Sequence, residues 1–358
     1  MNQVKADIWS IYTAQAERNS QIRDRFGRST YVLTDHSPNR PWVSRYLHGS
    51  GFRPEYPQGK KWALLLSHDI DVLNRLALPF KSLIPAQVKR LVKAQLGSFV
   101  DGWKARKNQP VSEFSLDRVR KVHKERGLRT TYFFLALEEG EEDFNYRITD
   151  IGGELEEIRA EGNEVALHGG HRAYNSIEEM GKELERLKLL SPDVIGYRNH
   201  YLRFDIGQTW KLVEQLGFSY DATFGFAGYP GFRNGMCHPF RPYDTHSEAY
   251  IDVLEFPLHV MDVSLFKYLG LAPEAAFEYV KNLALEVEES NGVFSILWHN
   301  NYFSGEWGDF YLKVLDYLLQ REPFVGTHRE LHDWWKEKNY AEEMEVLLER
   351  ERVGEASS

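Results

Sequence analysis

Hydrophobic and polar positions alternate in blocks along this chain. The sharpest block is Trp62-Ala63-Leu64-Leu65-Leu66, which breaks into Ser67-His68-Asp69-Ile70-Asp71. A run this short suits a strand buried on both faces, as in a parallel sheet. Chemistry in such sheets collects at the carboxyl ends of the strands. Asp69 and Asp71 are two apart, so an extended chain points them the same way. Two neighbouring carboxylates call for a cation or a metal to balance them.

Downstream, the period changes repeatedly between helix and strand. Leu116 to Arg126, Ile151 to Ala160, Ile177 to Leu190 and Trp210 to Leu216 read as helices. So do Pro273 to about Ser290 and Phe310 to Leu319. Gly127, Gly162 and Gly217 follow three of them as stop signals. Between them, Thr130 to Leu135, Asn163 to Leu167, Val194 to Tyr197 and Phe218 to Tyr220 read as strands. Ile251 to Leu258, Val293 to Trp298 and Phe324 to Gly326 extend the series. Regular alternation of this kind predicts a parallel α/β fold, either barrel or open sheet.

The flanks differ. Residues 1–60 are polar, with a helix expected around Ile8, Ile11, Tyr12 and Ala16, then an irregular arm carrying Pro38, Pro41, Pro54 and Pro57. Trp42 and Tyr46 in that arm read as packing residues. Residues 73–110 look inserted, with Ile84, Val88, Leu91, Val92, Leu96, Phe99 and Trp103 at helical spacing. Lys81, Lys89, Arg90, Lys93, Lys104, Arg106 and Lys107 fill the other positions. Such a pattern suits a helix packed on the domain with a solvated Lys/Arg face, and a basic amphipathic helix can also lie on an anionic membrane surface. Residues 331–358 are expected to form a charged helix and tail.

Charge and cysteine content narrow the class. The 358-residue chain has a net charge of -9, which argues against general nucleic-acid binding. Its one cysteine, Cys237, precludes an intrachain disulfide and suits a reducing compartment. No charged-then-apolar leader opens the sequence, and no run approaches the ~18 apolar residues of a membrane span. A cytoplasmic protein is the expectation, with a peripheral membrane contact through residues 81–107 as one reading of the basic segment.

Titratable residues gather where the strands should end. The third strand closes in His168-Gly169-Gly170-His171, whose glycines allow a tight turn. Two histidines with an Asp-x-Asp carboxylate make an open facial metal site. The fourth strand ends in Tyr197-Arg198-Asn199-His200-Tyr201, where a guanidinium can pair with a strand-end carboxylate and hold it ionised. The seventh ends in Leu297-Trp298-His299, a candidate general acid.

Taken together, these motifs resemble the polysaccharide deacetylase superfamily (NodB-type, carbohydrate esterase family four), over roughly residues 60–330 in order. Several features look like a divergent branch. The second motif usually spaces its histidines four apart, but position 172 is Arg and the second His is 171. His200 stands where the family has Pro, and the usual Asp-Trp pair has no counterpart. Tyr220-Asp221-Ala222-Thr223, the loop Gly231 to Phe240, and Met261-Asp262 look like that divergent branch.

The resemblance implies a distorted (β/α) barrel of about seven parallel strands. It also implies a metal-dependent hydrolase, usually with zinc, that removes N-acetyl or similar N-acyl groups from a sugar or glycan precursor. Asp69 becomes the base, Asp71, His168 and His171 the metal ligands, and His299 the acid. Arg198 orients Asp69, and the Tyr201 backbone N–H helps hold the oxyanion. Asp221, Arg233 and His238 are expected on the substrate side. Tyr201, Phe224, Phe226, Tyr229, Tyr302, Phe303 and Trp307 are candidates for stacking on sugar rings. Two other readings stay open: a deformylase or other C–N hydrolase acting on a lipid- or nucleotide-linked sugar, and a non-catalytic barrel that binds glycan or a partner.

Overall fold

The strand that breaks into Asp69-Ile70-Asp71 lies at the centre of the sheet. A computed structural model describes residues 7–30, 36–73 and 116–354 of the chain. The basic segment 81–107, and the membrane contact expected of it, fall outside the described residues.

The strands in chain order are β1 (Ala63–Ile70), β2 (Thr131–Leu135), β3 (Glu164–Gly169), β4 (Gly196–Asn199) and β5 (Tyr220–Asp221). Next come a small antiparallel pair, β6 (Tyr243–Asp244) and β7 (Ala249–Tyr250). Then follow β8 (Leu254–Glu255), β9 (Val260–Met261), β10 (Val293–Leu297) and β11 (Phe324–Gly326). Apart from β6 and β7 they form one parallel sheet of nine strands, ordered β8-β5-β4-β3-β2-β1-β10-β9, with β11 also on β1. The sheet curls into a distorted (β/α) barrel with helices between its strands. It has more strands than the sequence pattern led us to expect, because Ile251 to Leu258 is not one strand. That stretch contains β8 and a separate turn into β9.

β1 is buried at all eight positions. β10 pairs with Ala63–Ser67 on one edge, and on the other β11 pairs with Ala63–Leu65 and β2 with Ser67–Ile70. Burial on both faces is why its apolar residues run on without alternating. Truncating Leu64 or Leu65 to alanine should cost about 2–5 kcal/mol. The connecting helices turn one apolar stripe to the sheet. Helix 177–188, for example, buries Met180, Glu183, Leu184 and Leu187, and starts on a Ser176 side chain that accepts from the Glu179 N–H. Gly127, Gly162 and Gly217 adopt positive φ after their helices, as their sequence positions imply.

Inside the curl, side chains form layers. At the amino ends, Thr131 and Tyr220 donate to the Glu164 carboxyl at 3.0 and 2.8 Å, and the His328 ring stacks on Tyr220. Phe133 and Arg198 fill the middle. The carboxyl ends carry the site.

The N-terminal arm packs on the segment between β5 and β8. Pro38 and Val43 pair through the backbone with Phe232 and Gly235, and Glu17 forms a buried ion pair with Arg233. The part expected to be irregular contains a helix, Trp42–Gly49. Pro41 sits at its N-cap, where a missing N–H costs the helix nothing. The tail forms two helices, His328–Glu337 and Tyr340–Arg352, the first closed by a Thr327/Glu330 capping box. Among the described residues, no helix is long and apolar enough to cross a membrane.

Candidate active site

Asp69 ends the inward-facing row of β1. It is 2 % exposed and accepts from Arg198 Nη1 at 2.9 Å. The same nitrogen reaches Ser67 Oγ at 2.8 Å, and Arg198 Nε donates to the Ala222 carbonyl. The guanidinium lies 4.1 Å from the centre of the Phe133 ring, whose π face favours a cation. Arg198 is therefore pinned from four sides and presents a fixed positive charge to Asp69.

Asp71, two residues on, meets the ends of β3 and β4. Its Oδ1 lies 3.3 Å from His168 Nε2 and 3.5 Å from His200 Nδ1, and the two imidazole nitrogens are 3.0 Å apart. The three residues form a group whose ligand atoms lie within 4.8 Å of one another. His168 Nδ1 is 3.0 Å from the Arg198 carbonyl, which orients the ring and turns Nε2 into the site. Burial pushes the His200 imidazole down to about 4, against the pull of Asp71. Burial also works to raise the Asp71 carboxyl, but His200, His168 and His299 together hold it well below the usual carboxylate range.

These residues fit a divalent ion. Asp71 Oδ1 is buried without a hydrogen-bond partner, although nitrogens surround it. One carboxylate and two neutral imidazoles are a donor set for zinc and its neighbours, with positions left over for water and substrate.

The third member of this group is His200, not His171. His171 stands 3.8 Å from both Glu142 and Asp143 and is outside the Asp71/His168/His200 group. Asp143 also lies 3.6 Å from His200 Nε2 and accepts from the Tyr201 hydroxyl at 3.2 Å. Asp143 lies on a loop after β2 with no motif around it, so no sequence signal points to it.

His299 follows β10 and faces the group from the opposite side, its Nε2 3.6 Å from Asp71 Oδ2. Asp262 binds it twice, taking the backbone N–H and Nδ1 at 2.8 Å each. Burial disfavours the imidazolium, but Asp262, then Asp71 and Asp69, outweigh it and raise the His299 pKa to about 10. The ring is thus held protonated with Nε2 toward the centre of the site.

The chain leaves β4 through a strained turn. Tyr201 and Leu202 both have left-handed φ, 59° and 54°. For non-glycine residues this costs about 1–2 kcal/mol each. Strain of this kind survives only where the surroundings enforce it, and it concentrates at functional sites.

The other residues expected on the substrate side have structural partners. Asp221 shares its register with Tyr197 and Glu255, so it points away from the barrel interior that Arg198 occupies. It accepts from the Thr223 N–H and hydroxyl, and burial raises its carboxyl pKa. Arg233 is 3 % exposed, with Nε and Nη2 on Glu17 and Nη1 on the Gly225 carbonyl. His238 is fully buried against Ser44 and the Asn291 carbonyl, at the amino end of β10 and so opposite the site. Among the aromatics, Phe224, Phe226 and Phe303 are core, whereas Tyr201, Tyr229, Tyr302 and Trp307 keep partly exposed rings.

No family model matches the sequence, and no curated protein matches it. Solved structures do. A Mycobacterium smegmatis protein described as a polysaccharide deacetylase superposes with a TM-score of 0.55, at 16% identity, over 80% of this chain and 94% of that one. The CE4 domain of a multidomain xylanase from the hindgut metagenome of Trinervitermes trinervoides matches with a TM-score of 0.36, at 10% identity, over 78% of this chain and 91% of that one. Peptidoglycan deacetylase PdaC from Bacillus subtilis matches with a TM-score of 0.33, at 12% identity, over 85% of this chain and 100% of that one. The chain shares its fold with the Mycobacterium smegmatis polysaccharide deacetylase. At these identities the likeness is one of fold.

Proposed function

We propose that this protein is a metal-dependent hydrolase that removes an N-acetyl or similar small N-acyl group from a sugar or glycan precursor. One observation carries the reading. A carboxylate held by arginine, an Asp/His/His group and an aspartate-bound imidazolium converge at the carboxyl ends of β1, β3, β4 and β10. The fold shared with a polysaccharide deacetylase supports the substrate class.

Asp71, His168 and His200 would hold the ion, expected to be zinc. Bound there, a divalent ion polarises an amide carbonyl and acidifies water. The protein's own groups do the rest. Asp69, fixed by Arg198, takes the proton of the attacking water as its oxygen bonds to the carbonyl carbon. The Tyr201 N–H donates to the oxygen as negative charge develops. His299 passes its Nε2 proton to the nitrogen as the C–N bond breaks, leaving a free amine and a carboxylic acid. Asp262 keeps His299 charged until that step.

The test is release of acetate, or of formate, from N-acylated amino-sugar oligosaccharides and from lipid- and nucleotide-linked amino sugars. Turnover by the zinc-loaded wild type, lost in Asp69→Asn and in His299→Ala, supports the reading. A wild type inert on all of them, or an Asp69→Asn variant at full rate, contradicts it.

A further inference from the structure

The left-handed turn at Tyr201 and Leu202 is gripped by the N-terminal arm, more than 170 residues away in sequence. Arg28 Nη1 donates to the Tyr201 carbonyl at 2.8 Å. Its Nη2 donates to the Tyr268 hydroxyl at 2.9 Å, and Asp24 clamps Nε at 2.8 Å. Arg28 is only 5 % exposed. Beside it, the Phe26 ring lies flat on the Tyr201 ring, with centroids 5.1 Å apart and an interplanar angle of 11°.

The two anchor points belong to different parts of the rim. Tyr201 follows β4, next to His200. Tyr268 closes a π-helical turn, Ser264–Tyr268, which starts two residues after Asp262. The ends of the sheet, β8 and β9, are not paired with each other among the described residues. The guanidinium therefore joins the His200 side of the barrel mouth to the Asp262–His299 side. A planar fork with donors on both edges can make this span, whereas an ammonium cannot.

We propose that Arg28 is a positioning residue of the active site. It holds the Tyr201 carbonyl so that the strained turn sets the Tyr201 N–H and the His200 ring, and it fixes that turn relative to the loop carrying Asp262. The N-terminal arm is on this view part of the catalytic apparatus. The inference rests on the metal-dependent reading above.

Zinc affinity, measured by competition with a chromophoric chelator on the full-length protein, tests it. Arg28→Ala should bind zinc at least about tenfold more weakly than wild type, the scale of a lost outer-shell partner. Losing a buried guanidinium also lowers the metal-free melting temperature, so affinity is read well below that temperature, where the variant is folded. Millimolar guanidinium should restore the affinity, methylammonium should not, and Arg28→Lys should remain weak. A merely structural arginine would leave the zinc affinity of the folded variant at the wild-type value and guanidinium without effect on it. Tyr268→Phe removes a single hydroxyl and should weaken zinc by a few fold, and it decides the matter if Arg28→Ala fails to fold. Wild-type zinc affinity in Tyr268→Phe and in any folded Arg28→Ala overturns the proposal alone. A wild type that binds no zinc overturns this proposal and the hydrolase reading together.

Discussion

Arg198 Nη1 and Asp69 Oδ1 form a 2.9 Å ion pair in which both partners are almost wholly cut off from solvent. A charge stranded in such a place is far more costly than the pair is favourable. Arg198→Met should therefore destabilise the protein by about 3–5 kcal/mol in urea unfolding at pH 7. Asp69→Asn in the same background should recover part of the loss, because it removes the stranded charge. Additive losses from the two substitutions would mean that the pair is not coupled.

Asp262 and His299 make a second pair, with a pH signature. The His299 pKa is raised to about 10 in the folded protein. The stability this contributes is full below the unfolded histidine pKa of roughly 6.5 and is lost as pH rises through about 10. Asp262→Asn should lower that pKa, so the alkaline limb of kcat/KM should move to lower pH. At pH 8 the rate should fall on the order of a hundredfold, the scale of a lost general acid. An unmoved alkaline limb would take His299 out of the acid role.

Glu183 lies under the His168-Gly169-Gly170-His171 turn and accepts from the Gly170 N–H at 2.7 Å. Burial raises its carboxyl to about 8. Because this folded pKa lies above the unfolded one, stability falls as pH rises from about 4.5 to about 8. Glu183→Gln keeps an acceptor for Gly170 and removes the titration. Its melting temperature should match wild type near pH 5 and exceed it at pH 8. Equal curves at both pH values would show that Glu183 is not held neutral.

Much of this architecture was legible because burial leaves a simple mark on sequence. β1 and β10 are apolar runs that stop at titratable residues, and both ends carry site groups. The same logic, applied through strand alternation, reaches His200. Asp69 lies on the inward face of β1 and Arg198 on that of β4, and Asp71 and His200, two residues on and one past each strand's end, keep the same parity and turn inward with them. The His-x-x-His spacing drew attention to His171 instead. That residue is three positions after His168, an odd step that alternation turns away from the His168 face, and it stands 3.8 Å from Asp143. Asp143, Arg28 and the helix Trp42–Gly49 were hidden for a different reason. Their roles depend on contacts far apart in sequence, and loop or arm residues carry no period that reveals them.

On the proposed reading, Asp71, His168 and His200 hold a divalent ion. Elemental mass spectrometry of purified wild type, His200→Ala and His171→Ala after zinc loading and desalting tests it most directly. Wild type should carry about one zinc per chain, His200→Ala little, and His171→Ala the wild-type content. Zinc retained by His200→Ala but lost from His171→Ala, or a wild type that holds none at neutral pH, would contradict it.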